Sequence, residues 1–270
     1  MPTLYIVATP IGNLEDISFR ALRILSDVAL IAAEDTRKTR RLLSAYGIKT
    51  RLTSYHQHNK WAKLSYLLSR LESEDIALVS EAGMPGISDP GYELVVAASE
   101  RGICIVPIPG PSVLITALAV SGLPTNEFIY LGFLPRKRGE RRRFFERVAD
   151  EGRTIVAFEA PHRFVATLED VLSVLGDRRI AVCRELTKVH EEVFRGAVSA
   201  AIAHFREPIG EFTLIIEGKP KGERALTAPL EEELRCLYEQ GFSAKEAVSQ
   251  VAKATGVPKK ELYRAWLKLS

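Results

Sequence analysis

The chain has 270 residues, 46% hydrophobic and 26% charged, a composition that excludes a disordered or fibrous protein. Its net charge of +3 excludes a nucleic-acid binder that works by overall electrostatics alone, although Arg and Lys are bunched locally. Three widely spaced cysteines, Cys104, Cys183 and Cys236, exclude a disulfide framework and a paired-cysteine zinc pattern. At ~150 residues per domain, the length suggests two compact units with an appendage. The opening MPTLYIVATP has no basic region followed by an apolar core, so no signal peptide and a cytoplasmic location are expected.

In chain order, short apolar runs alternate with amphipathic stretches. Leu4–Ala8 reads as a strand and Ile17–Leu25 as a helix, followed by a strand at Val28–Ala33. Thr36–Tyr46 reads as a helix that Asp35 caps and Gly47 ends. A longer helix is expected from Asn59 to Glu72, a strand at Ile76–Val79, a helix at Gly91–Glu100, a strand at Ile103–Pro107 and a helix at Ser112–Ser121. The near-continuous apolar strands favour a sheet covered on both faces, hence an α/β fold. Residues 102–126 carry no charge. Four prolines and three glycines cut that stretch into strand, loop and helix, so it reads as buried core and not as a membrane span.

A second α/β unit follows the turn at 122–124. Its expected strands are Phe128–Phe133, Thr154–Phe158, Ile180–Cys183 and Phe212–Glu217, with helices at 139–150, 162–175 and 197–205. Gly218–Pro229 reads as a polar linker. Beyond it lie a helix at Leu230–Gln240, a capping box Ser243–Glu246 opening a second helix to Ala254, and a third helix that begins at Pro258 and runs to Leu267. The last two resemble a helix-turn-helix. The expected division is 1–123, 124–220 and 226–270.

Three strand-to-helix connections are rich in Gly and Pro: VATPIGNLEDIS at 7–18, SEAGMPGISDPG at 80–91 and PIPGPS at 107–112. Taken singly, the first could be an ordinary tight turn, the second a long surface loop, and Ser112 a simple helix cap. Together, at matching ends of successive strands, they describe a cleft for a nucleotide-like ligand. The first is not GxGxxG and no acidic residue follows at the ribose-binding distance, so a nicotinamide site is not indicated.

These loops, with AEDTRKTRRLL at 33–43, SYHQHN at 54–59, GFLPRK at 132–137, FEAPHR at 158–163 and CRELTKVHEEVFRG at 183–196, resemble those of ribosomal-RNA-modifying members of the tetrapyrrole-methylase (class III) group. That group uses S-adenosyl-L-methionine, and the resemblance covers essentially the whole chain. It implies two α/β domains with the cofactor in the cleft between them, usually as a homodimer, and a small helical appendage. The implied activity is 2′-O-ribose methylation of a cytidine in 16S (small-subunit) ribosomal RNA, with the RNA or the assembled 30S subunit as partner and no membrane. The cofactor would lie against Pro10, Gly12, Gly83, Met84, Ile87, Ser112 and Val113, with Phe158, Phe212 and Thr213 closing from the second domain. Glu81 departs from the group, where Asp is frequent.

Methyl transfer to a hydroxyl needs alignment of the reactants and an exit for the proton. The candidates are Glu159 and His162 in FEAPHR, and Glu185 and Lys188 in RELTK; each carboxylate could equally belong to a surface or interdomain ion pair. Arg37, Arg136, Arg142, Arg163 and Arg184 are candidate RNA contacts, taken from basic runs that could also be solvated helix faces. Lys259, Lys260 and Arg264 could add contacts from the last helix. His56-Gln57-His58 lacks nearby acidic or Cys ligands and reads as a substrate-side loop, so no metal is expected. Two alternatives stay open: a porphyrin or corrin precursor methylase, which would need neither the basic runs nor the terminal helices, and a helix-turn-helix regulator, which would not need three ligand-shaped loops.

Overall fold

The computed structural model describes residues 2–220, 228–255, 257 and 259–267. Contacts divide the chain into a unit at 1–218 and a second at 219–270. The first contains two five-stranded sheets and the second three helices.

The first sheet is wholly parallel. Its strands are β1 (Thr3–Val7), β2 (Leu30–Ala33), β3 (Leu52–Ser54), β4 (Ile76–Val79) and β5 (Cys104–Ile108), in the order β3-β2-β4-β1-β5. The helices α1 (Phe19–Asp27), α2 (Thr36–Ala45), α3 (Lys60–Arg70), α4 (Tyr92–Glu100) and α5 (Val113–Val120) follow the strands in turn. Strands β2 and β4 are buried along their whole length, as their unbroken apolar runs require. Ser18 caps α1 by accepting from the N–H of Ala21, and Asp35 caps α2 through the N–H groups of Arg37 and Lys38. From β1 the chain moves along the sheet towards β2, whereas from β4 it moves the opposite way to β5. That reversal opens a crevice at the carboxyl ends of β1 and β4, the place where open α/β sheets bind ligands.

The second sheet is mixed. It comprises β6 (Phe128–Phe133), β7 (Thr154–Glu159), β8 (Arg179–Arg184), β9 (Glu192–Ala197) and β10 (Phe212–Ile216), in the order β6-β7-β10-β8-β9. Only β6 and β7 pair in parallel; the remaining pairs are antiparallel. Along β10 the side chains alternate. Phe212, Leu214 and Ile216 enter a core shared with α6 (Arg138–Arg147), α7 (Phe164–Leu175) and α8 (Val198–His204), while Ile215 joins Ile11, Ala117, Leu118 and Leu186 in a cluster common to both sheets. Helix α5 is thus packed directly onto the second sheet, which fixes the two sheets against each other.

Two strands, β3 and β9, do not stand out in the sequence. The first is three half-buried residues without an apolar run, and the second is an edge strand carrying Glu192 and Arg195. The uncharged stretch 102–126 is not uniformly buried core, as its composition suggests: β5 is an edge strand with Cys104 and Pro107 exposed, and α5 buries only Ala117 and Leu118.

In the terminal unit, α9 (Ala228–Glu239), α10 (Ala244–Thr255) and α11 (Lys259–Trp266) enclose Leu234, Leu237, Val248, Val251, Leu262 and Trp266. The capping box forms: Ser243 Oγ accepts from the N–H of Glu246 at 3.3 Å, and Glu246 accepts from the N–H of Ser243 at 3.2 Å. Pro258 at the head of the last helix and most of the linker, 221–227, lie outside the described residues.

One basic run serves the interior. Arg141, only 3% exposed, donates through Nε and a terminal nitrogen to the fully buried Asp170, at 2.9 and 2.7 Å. Arg138 and Arg142 approach the same carboxylate at 3.1 and 3.7 Å. This cluster ties α6 to α7. Asp170→Ala would leave a buried guanidinium unpaired and should cost about 3–5 kcal/mol, lowering Tm by about 2–4 °C per kcal/mol. Thermal denaturation checks this, and a loss below about 1 kcal/mol, typical of exposed pairs, would contradict it.

Candidate active site

The three Gly/Pro-rich loops meet at the carboxyl edge of the first sheet. The N–H of Thr9 donates to the carbonyl of Gly83 and the N–H of Gly83 to the carbonyl of Thr9, both at 2.9 Å. Gly83 does this with φ +77°, in the left-handed region that disfavours any side chain. The N–H of Ala8 donates to Ile108 at 3.2 Å, bringing in the third loop. Further along the second loop Ser88, also left-handed at φ +65°, shares a 2.6 Å hydrogen bond with the Tyr130 hydroxyl on β6. The loop is therefore held at one end by the first sheet and at the other by the second.

Between the sheets lies a cleft of about 500 Å³, within the usual range for small-molecule sites. Gly83, Met84, Ile87, Ser112 and Val113 line it from the first sheet; Phe158, Phe212 and Thr213 face them from the second. Phe133, Ser88, Glu34, Asp89 and Glu211 also line it, and the sequence reading did not select them. Pro10 and Gly12 do not line it. Gly12 instead faces the loop after β8: a β-carbon there would lie 2.5 Å from Lys188 Cγ, 2.6 Å from Thr187 Oγ1 and 2.9 Å from the Leu186 carbonyl. Its bare backbone permits the close approach of the two lobes.

One wall is acidic. Glu34, Glu81 and Asp89 all reach the cleft, with the Glu81 N–H donating to Glu34 at 3.1 Å. Lys38 pairs with Glu81. Asp89 has its carboxyl pushed up to about 7, first by burial and then by the negative charge of Glu34, against the opposing hydrogen bond from Ser80. The longer side chain of Glu81 thus reaches a lysine at the cleft rim. The Tyr130 hydroxyl is likewise raised, mainly by burial.

The carboxylates expected to accept a proton are differently engaged. Glu159 borders the cleft, but its oxygens accept from Thr167 Oγ1 at 2.6 Å, the Ala160 N–H at 2.7 Å and Arg163 at 2.6 Å. These donors occupy its oxygens, and the ion pair draws Arg163 away from solvent, contrary to its expected role as an RNA contact. Glu185 accepts from the Glu211 N–H at 2.8 Å and from Lys188 at 3.0 Å. Burial alone would raise its carboxyl, yet those bonds outweigh burial and leave it below the usual range. Lys188, which also bonds Glu211 at 3.0 Å, is opposed by burial but raised overall by its two carboxylate partners. A lysine held as an ammonium can orient an anion; it does not accept a proton. Glu185 and Thr187 are both left-handed, at φ +50° and +66°, so this loop carries backbone strain beside the cleft. His162 is exposed and faces a separate hollow with Pro208 and Ile209.

The remaining basic candidates are divided. Arg184 donates to the Ile209 carbonyl at 2.7 Å and to Glu192 at 3.3 Å, so it is engaged internally. Arg142 is half-occupied by Asp170. Arg37 is largely exposed beside its cap residue Asp35, and Arg136 and Arg143 are exposed. The rings of His56 and His58 are 6.0 Å apart, and the described residues contain no group of three His, Cys, Asp or Glu side chains arranged for a metal. No helix among them is long and apolar enough to cross a membrane.

The sequence pattern of the family described as Tetrapyrrole (Corrin/Porphyrin) Methylases matches residues 3–202, and that of the RsmI C-terminal HTH domain matches 224–270. The ribosomal RNA small subunit methyltransferase I of Halalkalibacterium halodurans is 48% identical, over 98% of this chain and 94% of its own. The protein of the same name from Synechocystis is 47% identical over 100% of this chain and 99% of its own. That from Thermotoga maritima is 50% identical, its entire length matched by 81% of this chain. Among solved structures, diphthine synthase superposes with a TM-score of 0.61 at 14% identity, covering 80% of this chain and 90% of that one. A uroporphyrin-III-C-methyltransferase from Thermus thermophilus gives 0.55 at 19% identity, covering 80% and 94%.

Gly12→Ala forces a methyl group against the Leu186 carbonyl and the Thr187 and Lys188 side chains. Overpacking of this kind costs about 1–3 kcal/mol, and a chemical denaturation midpoint shifted accordingly is expected. An unchanged midpoint would contradict the close approach.

Proposed function

The chain belongs to the tetrapyrrole (corrin/porphyrin) methylase family, and from that premise we propose that it uses S-adenosyl-L-methionine to methylate the 2′-hydroxyl of a cytidine in 16S ribosomal RNA. The observation that carries this reading is the convergence of Gly83, Met84, Ile87, Ser112 and Val113 with Phe158, Phe212 and Thr213 on one cleft, in a chain whose full-length relatives bear the name of a small-subunit ribosomal RNA methyltransferase. The lining suits the cofactor chemically: aromatic and aliphatic groups for a purine and its ribose, and carboxylates for a cation. When bound, S-adenosyl-L-methionine supplies an electrophilic methyl group on a sulfonium. The first sheet with its loops, 1–123, serves as the cofactor lobe, and 124–220 as the lobe closing over it. The protein works as a homodimer in the cytoplasm, and 226–270 is a further RNA-contacting piece.

Within this reading the chain's own residues do three things. The acidic wall of Glu34, Glu81 and Asp89 favours positive charge in the cleft. The exposed Arg37, Arg136 and Arg143 hold the anionic acceptor. A carboxylate oxygen of Asp89 would take the proton that the acceptor hydroxyl gives up. Asp89 suits that task better than Glu159 or Glu185, because its ionisation lies near neutrality, where a base both exists and binds a proton. The charged and titratable groups around it are Glu34, Glu81 with its partner Lys38, and Tyr130.

Methyl-labelled cofactor offered with undermodified small subunits, naked RNA or a tetrapyrrole precursor should label a cytidine 2′-oxygen, mapped by mass spectrometry. Label on a pyrrole carbon, or none, would overturn the reading. For the proton, kcat/KM should rise with pH and level off above about 7. Asp89→Asn should lower kcat by about 10²–10⁴-fold and remove that rise; a retained pH profile would exclude Asp89. Stability gives an independent check. The unfolded chain releases this proton near 3.8 and the folded chain near 7, so stability falls as pH rises across that window. Asp89→Asn should therefore melt higher than the parent at pH 8, and a lower Tm would contradict the burial of this charge.

A further inference from the structure

We infer that Trp61, at the head of α3, with the His56–Asn59 turn beside it, is a stacking platform for unpaired RNA bases next to the methylated nucleotide, an inference that rests on reading the acceptor as RNA. Residues 36–71 carry nine Lys and Arg and not one Asp or Glu, which leaves the rest of the chain net negative. The fold sorts these cations by end. Lys49, Arg51 and Arg70 line a recess at the amino ends of β2 and β3. Arg37, Lys38, Arg40 and Arg41 on α2, with Lys60 and Lys63 on α3, follow the carboxyl ends of the same strands, the edge at which the cleft opens. The N–H of Tyr55 donates to the Ala33 carbonyl at 2.8 Å, so the two connections leave the sheet side by side.

Trp61 stands in this field with 68% of its surface exposed. A tryptophan ordinarily buries its ring, as Trp266 does among the terminal helices. Its neighbours are not those of a protein interface, whose centre is apolar and depleted of charge. Gln57, His58 and Ser65 are exposed polar groups, and the Lys60 ammonium lies over the indole, 5.5 Å from the ring centroid. Lys60 is itself fixed by an ion pair with Glu93 on α4. The turn before α3 is equally set: the Asn59 side chain accepts from the N–H of His56 at 2.8 Å and donates to Ser54 Oγ at 3.0 Å. An open ring with a cation on one face suits the flat face that every base offers.

The platform is continuous with the cleft. Glu93 is preceded by Tyr92, itself 69% exposed, and that by the loop whose Ile87, Ser88 and Asp89 line the cleft. A nucleotide whose ribose enters the cleft leaves its stack, and the neighbouring bases lose a partner that an aromatic side chain replaces.

The test compares Trp61→Ala and Trp61→Phe with Tyr66→Ala, which removes an exposed ring more than a turn further along α3. All three should bind S-adenosylhomocysteine as the parent does. Trp61→Ala should weaken binding of undermodified small subunits and of naked small-subunit RNA by about 10–100-fold; Trp61→Phe should recover most of that, and Tyr66→Ala should bind like the parent. Because the indole is uncharged, the salt dependence of RNA affinity should be unaltered in Trp61→Ala and shallower in Arg37→Ala. In the parent, RNA should shield the exposed indole from acrylamide quenching. Parental RNA affinity in Trp61→Ala, or an indole left unshielded, would overturn the platform while leaving the methyl-transfer reading intact. Weaker binding to subunits with parental affinity for naked RNA would overturn it in favour of a ribosomal-protein contact. A parent that neither binds nor labels RNA would overturn the reading of the acceptor, and the inference with it.

Discussion

Two backbone hydrogen bonds between Thr9 and Gly83 hold together the loops that leave β1 and β4, and the cleft depends on them. They join the strands from which the chain departs in opposite directions, the point where a parallel sheet opens a crevice of its own accord. The bridge requires a left-handed residue at 83, which glycine supplies without strain. It also fixes where the remainder of the second loop goes: outward past Ile87, across to the Tyr130 hydroxyl through Ser88, and back through Asp89 into α4. The second lobe is held to this frame by α5 and by the contact of Gly12 with the loop after β8.

The charges divide in a way that follows from burial. Where a carboxylate is enclosed by donors, as Glu159 is by Thr167, Ala160 and Arg163, it acts as a strut. Where enclosure comes with further negative charge and little donation, as at Asp89, protonation becomes easy near neutrality. The same logic separates the arginines. Arg141 and Arg163 neutralise buried acids, while Arg37, Arg136 and Arg143 extend into solvent, where a polyanion could meet them. A basic run in sequence is thus a mixture of internal anchors and solvent-facing groups.

Much of this was legible in the chain itself. The apolar runs at 30–33 and 76–79 announce buried strands, and Asp35, Ser243 and Glu246 announce caps that form as written. Local rules carry that information, because a cap or a strand needs only its own neighbours. What escaped depends on distant partners. Strand β3 exists because β2 offers it a free edge, and β9 because β8 does. The loop SEAGMPGISDPG drew notice for its glycines and prolines, so its carboxylate at Asp89 was passed over; its distinctive environment comes from burial together with Glu34, more than fifty positions earlier. Gly12 is expected against the cofactor, but its bare backbone faces the loop near residue 187 and not the cleft lining. The neutral stretch 102–126 reads as interior because composition reports hydrophobicity and not position, and only the fold reveals that β5 is an edge strand.

The central claim is that the cleft between the two sheets is the cofactor site. Amide hydrogen exchange with and without S-adenosylhomocysteine tests it most directly, since it reads the backbone at every loop at once. The account predicts added protection at 81–89, 112–114, 158–160 and 211–213, with little change around His162 or in the recess lined by Lys49, Thr50 and Arg51. Protection centred on that recess or on the terminal helices, with the cleft loops unchanged, would contradict it.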